Sequence, residues 1–166
     1  SDSKTIRFGN SNDLEIIHDG TSRIKNHTGD LHIGNWAASN ADSNVYIRAR
    51  HDENSIVCED DGRVTLYYDN VKTFGTCTNG AEVFASEGND ASLYIHADEA
   101  DDLADQWRLR AWAADQVLTI ESRNSSGYYE KNIACIGDGA VELYHDNSKK
   151  FETTSNGATL TGNHLK

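Results

Sequence analysis

Residues 61–85 and 138–162 are two copies of one segment. DGRVTLYYDNVKTFGTCTNGAEVFA and DGAVELYHDNSKKFETTSNGATLTG align without a gap at an offset of 77 residues and are identical at 13 of 25 positions. A period of this size constrains the fold more than any other feature, because both copies must make the same local structure and neither is long enough to bury a core alone. A shorter, more degenerate copy lies near the start, where Asp13–Gly20 (DLEIIHDG) matches VTLYYDN and is followed by Ile24 and then Thr28-Gly29. A second kind of similarity precedes these segments. Val45–Arg50 (VYIRAR) resembles Arg108–Trp112 (RLRAW), and Leu93-Tyr94-Ile95 opens another such strand.

Each copy reads as strands and tight turns. Alternation puts Val64, Leu66 and Tyr68 on one face, with Val141, Leu143 and His145 as the equivalent inward set in the last copy and Leu14, Ile16 and His18 in the first. The strand runs into Asp19-Gly20, Asp69-Asn70 or Asp146-Asn147, dipeptides that tolerate positive φ and close two-residue hairpins. A second strand carries Phe74 or Phe151, and a second turn follows at Asn79-Gly80 or Asn156-Gly157. The predicted unit is a three-stranded meander, which must stack on neighbouring units or on copies in other chains. Residues 97–106 (ADEADDLADQ) alone have helix-forming composition, and they read as an acidic loop entering a strand, with a single helical turn as the alternative. Trp107, at the mouth of that strand, is assigned to the core.

Composition agrees with an all-β chain. Ser, Thr, Asn, Asp and Gly make up 71 of 166 residues, and Pro and Met are absent. The surplus falls at the repeated turns and on the outward faces of short strands. Apolar runs of no more than four residues exclude a transmembrane helix or a secretory h-region. The lack of Met reads as a processed chain or a piece of a longer one. A net charge of −12 repels phosphate backbones, so nucleic acid is not expected as a partner. Cys58, Cys77 and Cys135 have no metal-site spacing and are odd in number, so they read as buried or free thiols rather than a disulfide framework.

Three strings together resemble a known family. VELYHDNSKKFETTSNGATLTG, the opening DSKTIRFGNSNDLEIIHDG, and YIHADEADDLADQWRLRA followed by LTIESRNSSGYYEKNIACIGDG are similar to modules of tail-fibre and related structural proteins of bacteriophages, especially marine ones, over residues 2–162. The resemblance implies a repetitive β-structured virion fibre, usually a homotrimer, that displays a host-attachment surface outside the cell. It names no receptor, because such modules are scaffold and the tips vary. Leu165-Lys166 follow directly on a repeat, which reads as a fragment of a longer fibre. The organisation expected is a degenerate repeat over 1–35, a full repeat over 36–85 and a second over 86–166, in one elongated module of stacked meander units.

Candidate sites were weighed beside their structural alternatives. The adjacent carboxylates Asp60-Asp61 and Asp101-Asp102 sit in turn-like surroundings, whereas hydrolytic pairs face each other across a cleft, and no GxSxG elbow is present; no catalytic residue is expected. The cluster Asp98, Glu99, Asp101, Asp102 and Asp105 offers oxygen ligands but lacks the spacing of a calcium loop. His18 and His145 occupy equivalent positions that would converge if three chains shared an axis, yet the middle copy has Tyr68 there. These are weak metal candidates, and no cofactor is expected. Trp36, Trp112, Tyr128 and Tyr129 lie in polar, turn-rich stretches and are the candidate ligand surface, with aromatic rings suited to sugar faces or to a neighbouring chain.

The function expected is a non-enzymatic part of a phage tail fibre that contributes to host attachment. Its partners would be its own copies, as a homotrimer, and a host-surface glycan or protein, without membrane insertion. The alternatives are a tailspike-type polysaccharide depolymerase and a calcium-stabilised surface adhesin.

Overall fold

A computed structural model describes residues 4–35 and 43–162. The chain is all-β, with three antiparallel sheets. It divides into two compact units, Ser1–Ala41 and Asp42–Lys166. The first holds a three-stranded sheet of β1 (Lys4–Phe8), β2 (Leu14–His18) and β3 (Ser22–Asn26) in sequential order.

The second unit holds two sheets. A five-stranded meander runs β4 (Val45–Arg50), β5 (Glu53–Cys58), β6 (Val64–Tyr68), β7 (Val71–Cys77) and β8 (Gly80–Val83). A seven-stranded meander follows, with β9 (Ala91–His96), β10 (Gln106–Trp112), β11 (Val117–Arg123), β12 (Tyr129–Ile136), β13 (Val141–His145), β14 (Ser148–Thr154) and β15 (Gly157–Leu160). Between β9 and β10 the acidic segment makes two 3-10 turns, Asp98–Ala100 and Leu103–Asp105, rather than a plain loop.

The ladder of β5 to β8 recurs in β12 to β15 at the offset of the sequence copies. Ile56 pairs with Leu66, and Ile133 with Leu143; Leu66 pairs with Phe74, and Leu143 with Phe151. Both copies shift register at the same place, after Leu66 and after Leu143. The identical residues account for this. Asp69-Asn70 and Asp146-Asn147 have φ of 49° and 60°, and 49° and 55°, the positive values at both central positions that a type I′ hairpin requires. Thr76 Oγ1 accepts the Val64 N–H and Thr153 Oγ1 accepts the Val141 N–H, each at 2.9 Å. Asp61 and Asp138 take positive φ at the preceding turn.

Four expectations are corrected. Asn79-Gly80 and Asn156-Gly157 are not the turn centres, because Cys77 pairs with Gly80 and Thr154 with Gly157. The turns are Thr78-Asn79 and Ser155-Asn156, and each Gly opens the next strand. Asp19-Gly20 belongs to a three-residue turn, since His18 pairs with Ser22. VYIRAR takes the place of Val117–Arg123 rather than of RLRAW: Ile47 pairs with Ile56 as Ile120 pairs with Ile133. Two-period alternation alone cannot distinguish those strands, because both put a branched apolar residue at the shared position.

The fourth correction concerns which face is covered. Val64, Leu66, Val141 and Leu143 are exposed, as are Tyr68, His18 and His145, whereas Thr65 between the first two is fully buried. Trp107 likewise is 42% exposed rather than in a core. Among the described residues, no second layer lies over the face that alternation marks as apolar. The most enclosed side chains are Val57, Thr65, Thr119, Glu121 and Ala134, all on the opposite face. Gly75 shows how that face is filled. A Cβ there would lie 3.2 Å from the Phe84 ring, so the ring sits against the glycine; the equivalent positions 152 and 161 are Glu and Thr.

Candidate functional site

Strand register organises the side chains into two surfaces with opposite chemistry. On one face of each sheet, an apolar row crosses every strand. In the seven-stranded sheet, Leu93, Leu109, Ile120, Ile133, Leu143, Phe151 and Leu160 are successive cross-strand partners. In the five-stranded sheet the row is Ile47, Ile56, Leu66, Phe74 and Val83, and in the first unit it is Ile6, Ile16 and Ile24. A second row of smaller residues runs beside the first, including Ala111, Leu118, Cys135 and Val141. Most of these residues are half-buried or exposed.

The other surface of the seven-stranded sheet carries a charged and aromatic network. Arg108 Nε donates to the buried Glu121 carboxylate, whose Oε1 also accepts the Thr119 hydroxyl at 2.7 Å. Trp112 Nε1 donates to Thr119 Oγ1 at 3.0 Å. The Arg108 guanidinium lies 4.0 Å over the Tyr129 ring, and that of Arg110 lies 3.8 Å over Trp112, while Arg110 also binds Asp90. Flat guanidinium–ring stacks of this kind enclose Thr119 and Glu121 without any apolar layer. This is why a polar face is the better covered one.

Protonation equilibria follow from these pairs. Asp90 is held below the usual carboxylate range by the Ala113 backbone N–H and then by Arg110. Glu142 is lowered by the Tyr144 hydroxyl and then by Lys149, and Tyr144 is raised by the same bond. Lys149 is raised by Glu152 and Glu142, and in the first unit Glu15 is lowered by Arg7. Among the described residues, the displaced carboxyls all move downward, the opposite of what a general acid needs.

The candidate residues separate in the structure. Trp112 and Tyr129 both belong to the polar network, each with one ring face under a guanidinium, while Tyr128 is 72% exposed. Trp36 lies outside the described residues. Asp98, Asp101 and Asp105 bring carboxylate oxygens within 4.8 Å of one another, and Asp102 is not in that group. His18 accepts or donates at Ser22 Oγ, and His145 lies 3.5 Å from Asp146. Asp60, Asp61, Asp101 and Asp102 are all exposed. The three cysteines are free thiols, Cys77 and Cys135 exposed and Cys58 half-buried. A cleft of about 400 Å³ between the two larger sheets is lined by Tyr68, Phe84, Asn89, Asp90 and Tyr94.

Sequence reading missed the network of Arg108, Glu121, Thr119 and Asp90, because opposite charges on different strands become a pattern only once register is known. It also missed a clamp made by the turn asparagines. Asn70 Oδ1 accepts the Asn54 N–H at 2.8 Å, and Asn147 Oδ1 accepts the Lys131 N–H at 3.0 Å, tying each turn to the preceding hairpin. The available signal was Asn, rather than the commoner Gly, at the second turn position of both copies. No helix among the described residues is long and apolar enough to cross a membrane. No family model, curated protein or solved structure matches the chain.

Proposed function

We propose that the chain is a non-enzymatic structural segment of a bacteriophage tail fibre, built of stacked meander units that assemble as a homotrimer on the virion and contribute to host attachment. The observation that carries this reading is missing burial. Among the described residues Val57 and Ala134 are the buried apolar side chains, whereas Leu66, Phe74, Leu118, Leu143 and Leu160 are 38% or more exposed. Apolar surface left open on this scale suits an obligate assembly.

The other parts of the reading follow from chemistry already described. Paired, downward-shifted carboxylates support scaffold rather than catalysis, and a surface at −12 supports solubility and disfavours nucleic acid. Host contact would involve a surface glycan or protein held by several weak copies at once, so avidity supplies attachment. No cofactor and no membrane insertion enter the mechanism. Negative-stain micrographs of purified protein should show rods of uniform width, and incubation with bacterial surface polysaccharide should release no reducing sugar. Compact single-chain particles would overturn the fibre, and sugar release would favour a depolymerase.

A further inference from the structure

We infer that the apolar face of the two larger sheets is the surface through which copies of this chain join, parallel and with equal residues at equal height. The Arg- and aromatic-bearing face is then turned outward. This rests on the self-assembling reading above and assigns the surface that performs it.

Three observations select the occupant. The apolar row crosses all seven strands of one sheet and all five of the other without a charged residue. At about 4.8 Å per strand the longer row extends roughly 30 Å, and a second copy supplies the same row at the same length. Charge makes the same selection. A chain at −12 repels its own copies through its polar surfaces, and an uncharged face is where that repulsion is least. Large apolar side chains stay exposed along both rows, Ile47, Leu66 and Phe74 in one sheet and Leu93, Leu143 and Leu160 in the other, and a closed ring in which each chain meets two covers them in every copy. Rotational closure about an axis parallel to the row keeps equivalent residues level, so Leu143 of one chain lies near Leu143 of the next.

The native thiols provide the test. Cys135 belongs to the small-residue row of the apolar face, paired with Leu118 and Val141. Cys77 is two residues from Gly75 and therefore on the opposite face, beside Glu59, Asp61 and Arg63. Both are exposed in the single chain. Iodoacetamide labelling of the native protein, read by mass spectrometry and normalised to rates in urea, should find Cys135 protected roughly tenfold or more relative to Cys77. Equal labelling in a protein that sediments as an oligomer, or protection of Cys77 instead, overturns the face assignment and leaves self-assembly standing. Equal labelling in a monomer overturns both. As a second arm, Leu143→Asp should lower the sedimenting mass while Thr159→Asp, on the outward face, leaves it unchanged; the reverse pattern overturns the assignment.

Discussion

Replacing Asn147 separates two contributions that the second Asp-Asn turn combines. Asn147 sits at φ 55°, in the left-handed region, and its Oδ1 accepts the Lys131 N–H at 3.0 Å. Asn147→Gly removes the hydrogen bond and leaves the backbone at ease, at a cost of about 1 kcal/mol. Asn147→Ala removes the same bond and adds a left-handed penalty of about 1 kcal/mol, for about 2 kcal/mol in all. Asn147→Asp retains an acceptor at the same place and should stay within about 0.5 kcal/mol of the parent. For a chain of this size, 1 kcal/mol is about 3 °C in Tm, so losses near 3 and 6 °C are expected for Gly and Ala. The assay is urea or thermal unfolding followed by circular dichroism, at one fixed protein concentration because association contributes to apparent stability. Equal losses for Gly and Ala would refute the strain component, and no loss in either would refute the clamp. Asn70 should give the same ordering of Gly and Ala but a further loss in Asn70→Asp, because its amide also donates to the Asp52 carbonyl at 3.0 Å and a carboxylate cannot.

Other perturbations test the polar face and its titrating groups. Glu121→Ala strands Arg108, whose side chain is 14% exposed, and should cost about 3 kcal/mol or more by chemical unfolding, against a smaller loss for Glu121→Gln; equal losses would show that charge pairing is not what holds Arg108. Thr65→Val replaces a fully buried hydroxyl that has no hydrogen-bond partner among the described residues, and should stabilise by up to about 1 kcal/mol in the same assay, a loss being contrary to the packing described. Glu15, Asp90 and Glu142 have lowered folded values, so their contribution is complete above the ordinary carboxylate range and fades as pH falls below about 4. Lys149 and Tyr144 are raised, so theirs is complete below about pH 10 and fades as pH rises past it. Tm plotted against pH should therefore be level from about 5 to 9 and decline on both sides; a maximum near pH 4 would contradict those pairings. Addition of EDTA should move Tm by less than about 1 °C, because the Asp98, Asp101 and Asp105 group lies on the 3-10 turns between β9 and β10 with Asp98 and Asp101 exposed; a large drop would favour the calcium-stabilised adhesin.

Much of the fold was legible because the repeated residues act locally. Asp69-Asn70 and Asp146-Asn147 specify a turn through their own backbone preferences, and Leu66, Phe74 and their counterparts mark one face by alternation alone. Turn placement failed at Asn79-Gly80 because the dipeptide signal assumes positive φ at its centre, whereas here the cross-strand pair is Cys77 with Gly80. Which face is enclosed was not legible. Burial is a property of the layer that covers a face, and the covering here comes from Phe84 and from arginines lying on Tyr129 and Trp112, contacts that depend on register between strands. For the same reason, Trp112 and Tyr129 were visible as candidates while Arg108, Glu121 and Asp90, which engage the same face, were not.

The central claim is that this chain leaves its apolar rows for copies of itself. Light scattering coupled to size exclusion at micromolar concentration tests it most directly. A single species of three times the 18.3 kDa chain mass, unchanged on tenfold dilution, is expected. A species of one chain mass, folded and with the strand content described above, would contradict it.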